Sequence, residues 1–138
     1  MDIAGVVILP AARLRSMAHD AGFDLVGFAR VEPIPRSILC DWIALGLHAD
    51  MDWMVETIEK RLDVTKLLPG AKTVIALACN YWHTDEPSLV ARYARGRDYH
   101  ATVRDRIRAL RRSVREAFPG IDDYGTVDTN PSMERVWA

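Results

Sequence analysis

The stretch TVIALACN, Thr73 to Asn80, is the clearest strand signal in the chain. It is continuous and apolar, and it opens on the β-branched pair Thr73 and Val74. A strand without polar alternation predicts cover on both faces, as in a sheet packed between helices. Upstream, FDLVGFAR, Phe23 to Arg30, is short and apolar and reads as a second buried strand. Around these strands the spacing turns helical. From Ala11 to Ala21, Leu14, Met17, Ala18 and Ala21 recur on one face, and Gly22 stands where a helix stops. After Pro33 and Pro35, a helix is predicted from Ser37 to Leu45 with Ile38, Leu39, Trp42 and Ile43 apolar, ended by Gly46. MDWMVETIEKRLD, Met51 to Asp63, predicts one more short helix, and LLPG, Leu67 to Gly70, a turn. The strongest helix signal is Ala101 to Phe118. Val103, Ile107, Leu110 and Val114 form a single apolar stripe there, and Pro119 and Gly120 end it. The segment Tyr81 to Gly96 reads as irregular. A short strand through Thr126 and Val127 is expected to lead into Asp128, with Asn130 capping a last helix that has Pro131 at its first position. Helices alternating with buried strands predict a layered α/β domain.

The length of 138 residues suits one domain, residues 1–138, with a real core. At 49% hydrophobic and 27% charged, the composition is that of an ordinary soluble globular protein. No apolar run is long enough to cross a membrane, and the short one near Met1 lacks the basic start of a signal peptide. The last helix has barely begun when the sequence stops at Ala138, which reads as a cut, so the domain is expected to be incomplete. The two cysteines, Cys40 and Cys79, are far apart and form no CxxC pair. A cysteine-type zinc site and a disulfide framework are therefore not expected, and the chain lacks the four thiolates an iron–sulfur cluster normally takes.

Three constellations could carry chemistry. The net charge of -1 conceals a run of arginines. Arg92, Arg95 and Arg97 precede the long helix, and Arg104, Arg106, Arg108, Arg111, Arg112 and Arg115 lie on it. Arg104, Arg108, Arg111 and Arg115 follow the core spacing one residue later. This stripe is either a solvated face or a phosphate-binding surface, since guanidinium pairs well with phosphate oxygens. The second constellation is ARYARGRDYH, Ala91 to His100, where tyrosines, arginines, an aspartate and a histidine gather around Gly96. Composition alone favours a polar loop with Asp98 capping the next helix. The third is Asp128, in VDTNP, where the end of a strand meets a helix start, the usual position for an α/β active site. A plain capping role is the alternative, and a general acid near neutral pH would need burial or a nearby negative charge. His48 and His83 lack partners at metal-ligand spacing, so no metal site is expected. Trp42, Trp53 and Trp82 read as core residues.

Taken together, FDLVGFAR, MDWM (Met51 to Met54), LLPGAKTVIALACNYW (Leu67 to Trp82), ARYARGRDYH and VDTNPSMER (Val127 to Arg135) resemble the N-terminal domain of epoxyqueuosine reductases, in order and approximate spacing. The resemblance covers essentially the whole chain. It implies an α/β/α sandwich of the nitroreductase and reductive-dehalogenase kind that holds cobalamin. It also implies a following ferredoxin-like domain with two iron–sulfur clusters, absent from this chain. The implied activity is reduction of epoxyqueuosine to queuosine in the tRNA anticodon loop, in the cytoplasm.

By the same resemblance, Asp128 matches a proposed proton donor and Arg135 a residue that orients the substrate. Tyr93, Arg97, Asp98, Tyr99 and His100 match a motif expected to line the cobalamin pocket. The stripe of Arg104, Arg108, Arg111 and Arg115 is then the expected nucleic-acid contact. The sequence departs from the family at Asp50, where many relatives have Gly, and at Asn130 and Ser132, which are usually smaller or apolar. No DxHxxG-type motif is present, so no histidine of this chain is expected as the lower axial ligand. Two other readings stand beside this one: a non-catalytic cobalamin or small-molecule binding module, and another cobalamin-dependent, dehalogenase-like reductase.

Overall fold

A computed structural model describes residues 9–82, 89–128 and 130–138. The elements are α1 (Ala11–Asp20), β1 (Leu25–Arg30), α2 (Ser37–Ala44), α3 (Asp52–Glu56), α4 (Ile58–Leu62), β2 (Thr73–Ala78), α5 (Tyr99–Ala117) and α6 (Glu134–Trp137). Single 3-10 turns lie at Val64–Lys66 and Arg92–Ala94. The two main strands form, as do the helices predicted over Ala11 to Ala21, Ser37 to Leu45 and Ala101 to Phe118. β1 and β2 pair antiparallel: Asp24 N donates to Ala78 O at one end and Val31 N to Lys72 O at the other. Neither strand is buried as expected. β1 alternates, with Val26 buried and Leu25 70% exposed, and Val74–Leu77 of β2 are half-buried. Among the described residues the sheet has two strands, each paired along one edge, so apolar side chains alone do not produce a covered strand.

The chain forms two compact units, Met1–Val26 with Leu77–Val127, and Gly27–Ala76 with Asp128–Ala138. In the first, α1 packs against α5. Leu14, Ala18, Phe23, Val26, Ile107, Leu110 and Val114 are buried there, so the stripe read from spacing becomes the core face of α5. Gly22, at φ 93°, ends α1 in the left-handed region that glycine enters without strain. Its carbonyl accepts from Arg106 Nη1 of α5 at 2.7 Å. In the second unit, Ile34, Leu39 and Leu62 are buried with Cys40, Trp42, Ile43, Met54, Ile58, Met133 and Trp137 packed against them.

Three predicted features come out differently. The helix expected over Met51 to Asp63 breaks at Thr57 into α3 and α4. The Thr57 hydroxyl donates to Trp53 O at 2.6 Å, and such back-bonding competes with the helical ladder. No strand forms through Thr126 and Val127; residues 121–127 are irregular, and among the described residues the sheet consists of β1 and β2. Nor does Asn130 cap the last helix. Its carbonyl accepts from Ser132 N at 2.8 Å in a tight turn, and α6 starts at Glu134 with Met133 as N-cap. Of the three tryptophans read as core, only Trp42 packs on a core cluster; Trp53 is 52% and Trp82 61% exposed.

Candidate functional site

The segment 89–100 of the first unit builds a turn against the start of α5. Asp98 is the N-cap of α5, and its Oδ1 accepts from His100 N at 3.0 Å. The same oxygen lies 2.8 Å from His100 Nδ1. These two bonds from His100, with the positive field of Arg104 added, hold the Asp98 carboxyl below its usual range. The capping reading of Asp98 is what the geometry displays. Arg97 Nη2 donates to Asp105 Oδ2 at 3.1 Å, which ties the turn to the second turn of α5. Around it the aromatic rings form a chain. Tyr81 meets Tyr93 edge to face at 6.3 Å between centroids, Tyr93 meets Tyr99 in the same way at 6.0 Å, and Tyr99 stacks on His100 at 4.0 Å. Trp82 lies under the Arg92 guanidinium at 3.6 Å. Tyr93, Arg97, Asp98, Tyr99 and His100 are therefore brought together. His83 lies outside the described residues.

Asp128 and Arg135 stand in the second unit, both exposed. Asp128 follows an irregular segment and precedes α6 by several residues, so it holds neither the strand end nor the helix start expected of it. Arg135 lies on α6 itself. Sequence reasoning missed Arg61 in this unit. It is 8% exposed, donates from Nε to Thr57 Oγ1 at 3.0 Å and from Nη1 to Ser132 O at 3.4 Å, and stands 4.9 Å over the Trp53 ring. Desolvation lowers its pKa, with Glu134 pulling the other way. The signal was available: Arg61 falls on the apolar spacing of Met54 and Ile58, where a charge is out of pattern. His48, half-buried, faces Trp42 at 6.2 Å between ring centroids, and its buried Nδ1 has no partner among the described residues.

The arginine stripe is also remodelled. Arg111 Nε and Arg115 Nε pair with the two carboxylate oxygens of Asp123, a residue the sequence reading passed over. Its clue was a paired acidic DD, Asp122 and Asp123, just after the Pro119–Gly120 break beyond a basic helix. The loop lies tight on the helix: a Cβ built on Gly125 would meet Ile107 Cγ2 at 2.5 Å and Arg111 Cδ at 3.0 Å.

Residues 61–129 match the family described as Epoxyqueuosine reductase QueG, DUF1730. The chain belongs to that family. An epoxyqueuosine reductase of Leadbetterella byssophila is 32% identical over 133 residues, covering 91% of this chain and 43% of the relative. An epoxyqueuosine reductase of Synechococcus sp. (strain CC9605) is 37% identical over 134 residues, covering 91% of this chain and 41% of the relative. The chain thus spans about two fifths of the length of these relatives. Its fold is similar to the crystal structure of epoxyqueuosine reductase with a tRNA-Tyr epoxyqueuosine-modified tRNA stem loop. The TM-score is 0.74 at 26% identity, covering 91% of this chain and 36% of that one. The α/β class expected from the alternation of elements is therefore the fold of epoxyqueuosine reductases.

Proposed function

We propose that this chain is the cobalamin-binding part of an epoxyqueuosine reductase, reducing epoxyqueuosine to queuosine in a tRNA anticodon loop. The family match over residues 61–129 carries the reading, and the likeness to a reductase crystallised with a tRNA stem loop supports it. Electrons come from a ferredoxin-like iron–sulfur domain of the complete enzyme, since two cysteines do not supply a cluster's thiolates. The enzyme works in the cytoplasm.

The residues of the 89–100 segment fit a large macrocycle rimmed by amides. Tyr93, exposed, supplies a ring face and a phenol hydroxyl, and Tyr99 packs edge to face against it. Asp98 and Arg97 are committed to the helix cap and to Asp105, so their part is to set the turn that presents the tyrosines and His100. Bound there, cobalamin would supply electron delivery to the substrate. Removing an epoxide oxygen as water also consumes protons, and Asp128 is the donor in this reading. It is exposed in this chain, so the burial that a general acid needs would have to come from the bound substrate and cofactor. Arg135 orients the substrate by its fixed fork of donors.

Titration of cob(II)alamin followed by EPR tests the cofactor. Binding without histidine superhyperfine coupling is expected; coupling to a histidine of this chain, or no binding, counts against the reading. In a full-length protein carrying this domain, Asp128→Asn should lower turnover by about a hundredfold to ten-thousandfold while cobalamin stays bound. Near-normal turnover would move the proton to another group. Loss of cobalamin would make the role of Asp128 structural.

A further inference from the structure

The arginines of α5 do not act as one surface, and the difference lies in what each has already paired with. Arg106 bonds the Gly22 carbonyl and fastens α5 to the end of α1. Arg111 and Arg115 share the Asp123 carboxylate. Arg104, Arg108 and Arg112 are exposed and lie four residues apart. Each step of four advances about 6 Å along the helix with a small sideways drift, so the three guanidinium groups form a row about 12 Å long. Arg108 reaches Asp105 Oδ1 at 3.3 Å, but that carboxylate is shared with Arg97. Arg112 makes no hydrogen bond or ion pair among the described residues, although Glu116 stands one turn further on.

We propose that Arg104, Arg108 and Arg112 form the phosphate-contacting row for one RNA backbone, and that Asp123 withholds Arg111 and Arg115 from it. This deepens the tRNA reading above and rests on it. Charge complementarity argues for nucleic acid: three guanidinium groups in line match a run of phosphates. Exposed aromatic residues of the same unit outside the 89–100 segment, Tyr81 and Trp82, offer ring surface on which unpaired RNA bases stack. A membrane surface fits less well. The apolar stripe of α5 is buried in its own unit, so the helix has none to insert among lipids.

The probe is an unmodified tRNA anticodon stem-loop RNA, with binding followed by fluorescence anisotropy between about 50 and 200 mM salt. Thermal melts of every variant accompany it. Replacing all three residues, Arg104→Gln, Arg108→Gln and Arg112→Gln, should reduce the slope of log K against log salt by about 2, at roughly 0.7 per phosphate contact on a single strand. Asp123→Asn should tighten binding and steepen the slope, because it releases two guanidinium groups. A triple variant with unchanged affinity and slope overturns the row while leaving the tRNA reading intact. So does an Asp123→Asn protein that melts normally but binds more weakly. If Asp123→Asn fails to fold, the triple variant decides alone. A wild-type chain that ignores the RNA at low salt overturns the tRNA reading itself and the row with it. Tighter binding to phosphatidylserine vesicles than to RNA would assign the row to a membrane and also overturn the proposal.

Discussion

Arg61 shows what a buried charge does when no carboxylate among the described residues forms an ion pair with it. Its donors reach a hydroxyl, a backbone carbonyl and an aromatic face, and none of these is an ion-pair partner. Desolvation of the guanidinium outweighs the pull of Glu134, as its lowered pKa indicates. A buried charge without an ion-pair partner carries a desolvation cost that an apolar side chain of similar length does not. Arg61→Met should therefore leave stability unchanged or raised, within about 1 kcal/mol, in urea unfolding. A loss well beyond that would mean that the bonds to Thr57 and Ser132 outweigh the desolvation. The same residue explains a limit of sequence reading. Periodicity marks Arg61 as misplaced on an apolar face, but the partner at Ser132 is 71 residues away, and only folding brings the two together.

At the scale of the element, the helices and strands were largely legible because their boundaries are local. Gly22 and Gly46 end α1 and α2 nearly where the spacing says, and Asp98 caps α5. What escaped is a competition between side chain and backbone. Thr57 fits the helical pattern by hydropathy, yet its hydroxyl takes the Trp53 carbonyl and splits the segment into α3 and α4. The loop after α5 was illegible for a different reason. Asp122 to Gly125 has no periodicity, and its conformation is set by packing on Ile107 and by the ion pairs of Asp123. Gly125 is therefore a demand of close approach. Gly125→Ala would drive a methyl into Ile107 and Arg111, and should destabilise the fold by about 1–3 kcal/mol, read as a lower thermal midpoint. An unchanged midpoint would mean that the loop lifts from the helix at little cost.

At the scale of the whole molecule, the residues chosen from motifs divide between the two compact units. Tyr93 to His100 belong to one, Asp128 and Arg135 to the other. The first group was legible as a cluster because it is contiguous in sequence and sits at a helix start. The second was legible only as a motif, since the strand and cap expected around Asp128 do not form.

Both units expose an indole beneath a guanidinium, Trp82 under Arg92 and Trp53 under Arg61, while Trp42 and Trp137 pack on a core cluster. That arrangement gives the protein an optical signature of its charge. An anionic quencher is drawn to indoles covered by cations, and a cationic one is repelled. Iodide should therefore quench the tryptophan emission of the native chain far more efficiently than caesium, and the gap should narrow as inert salt is raised or the chain is unfolded. Equal quenching by the two ions would show that the guanidinium groups do not stay over the rings in solution.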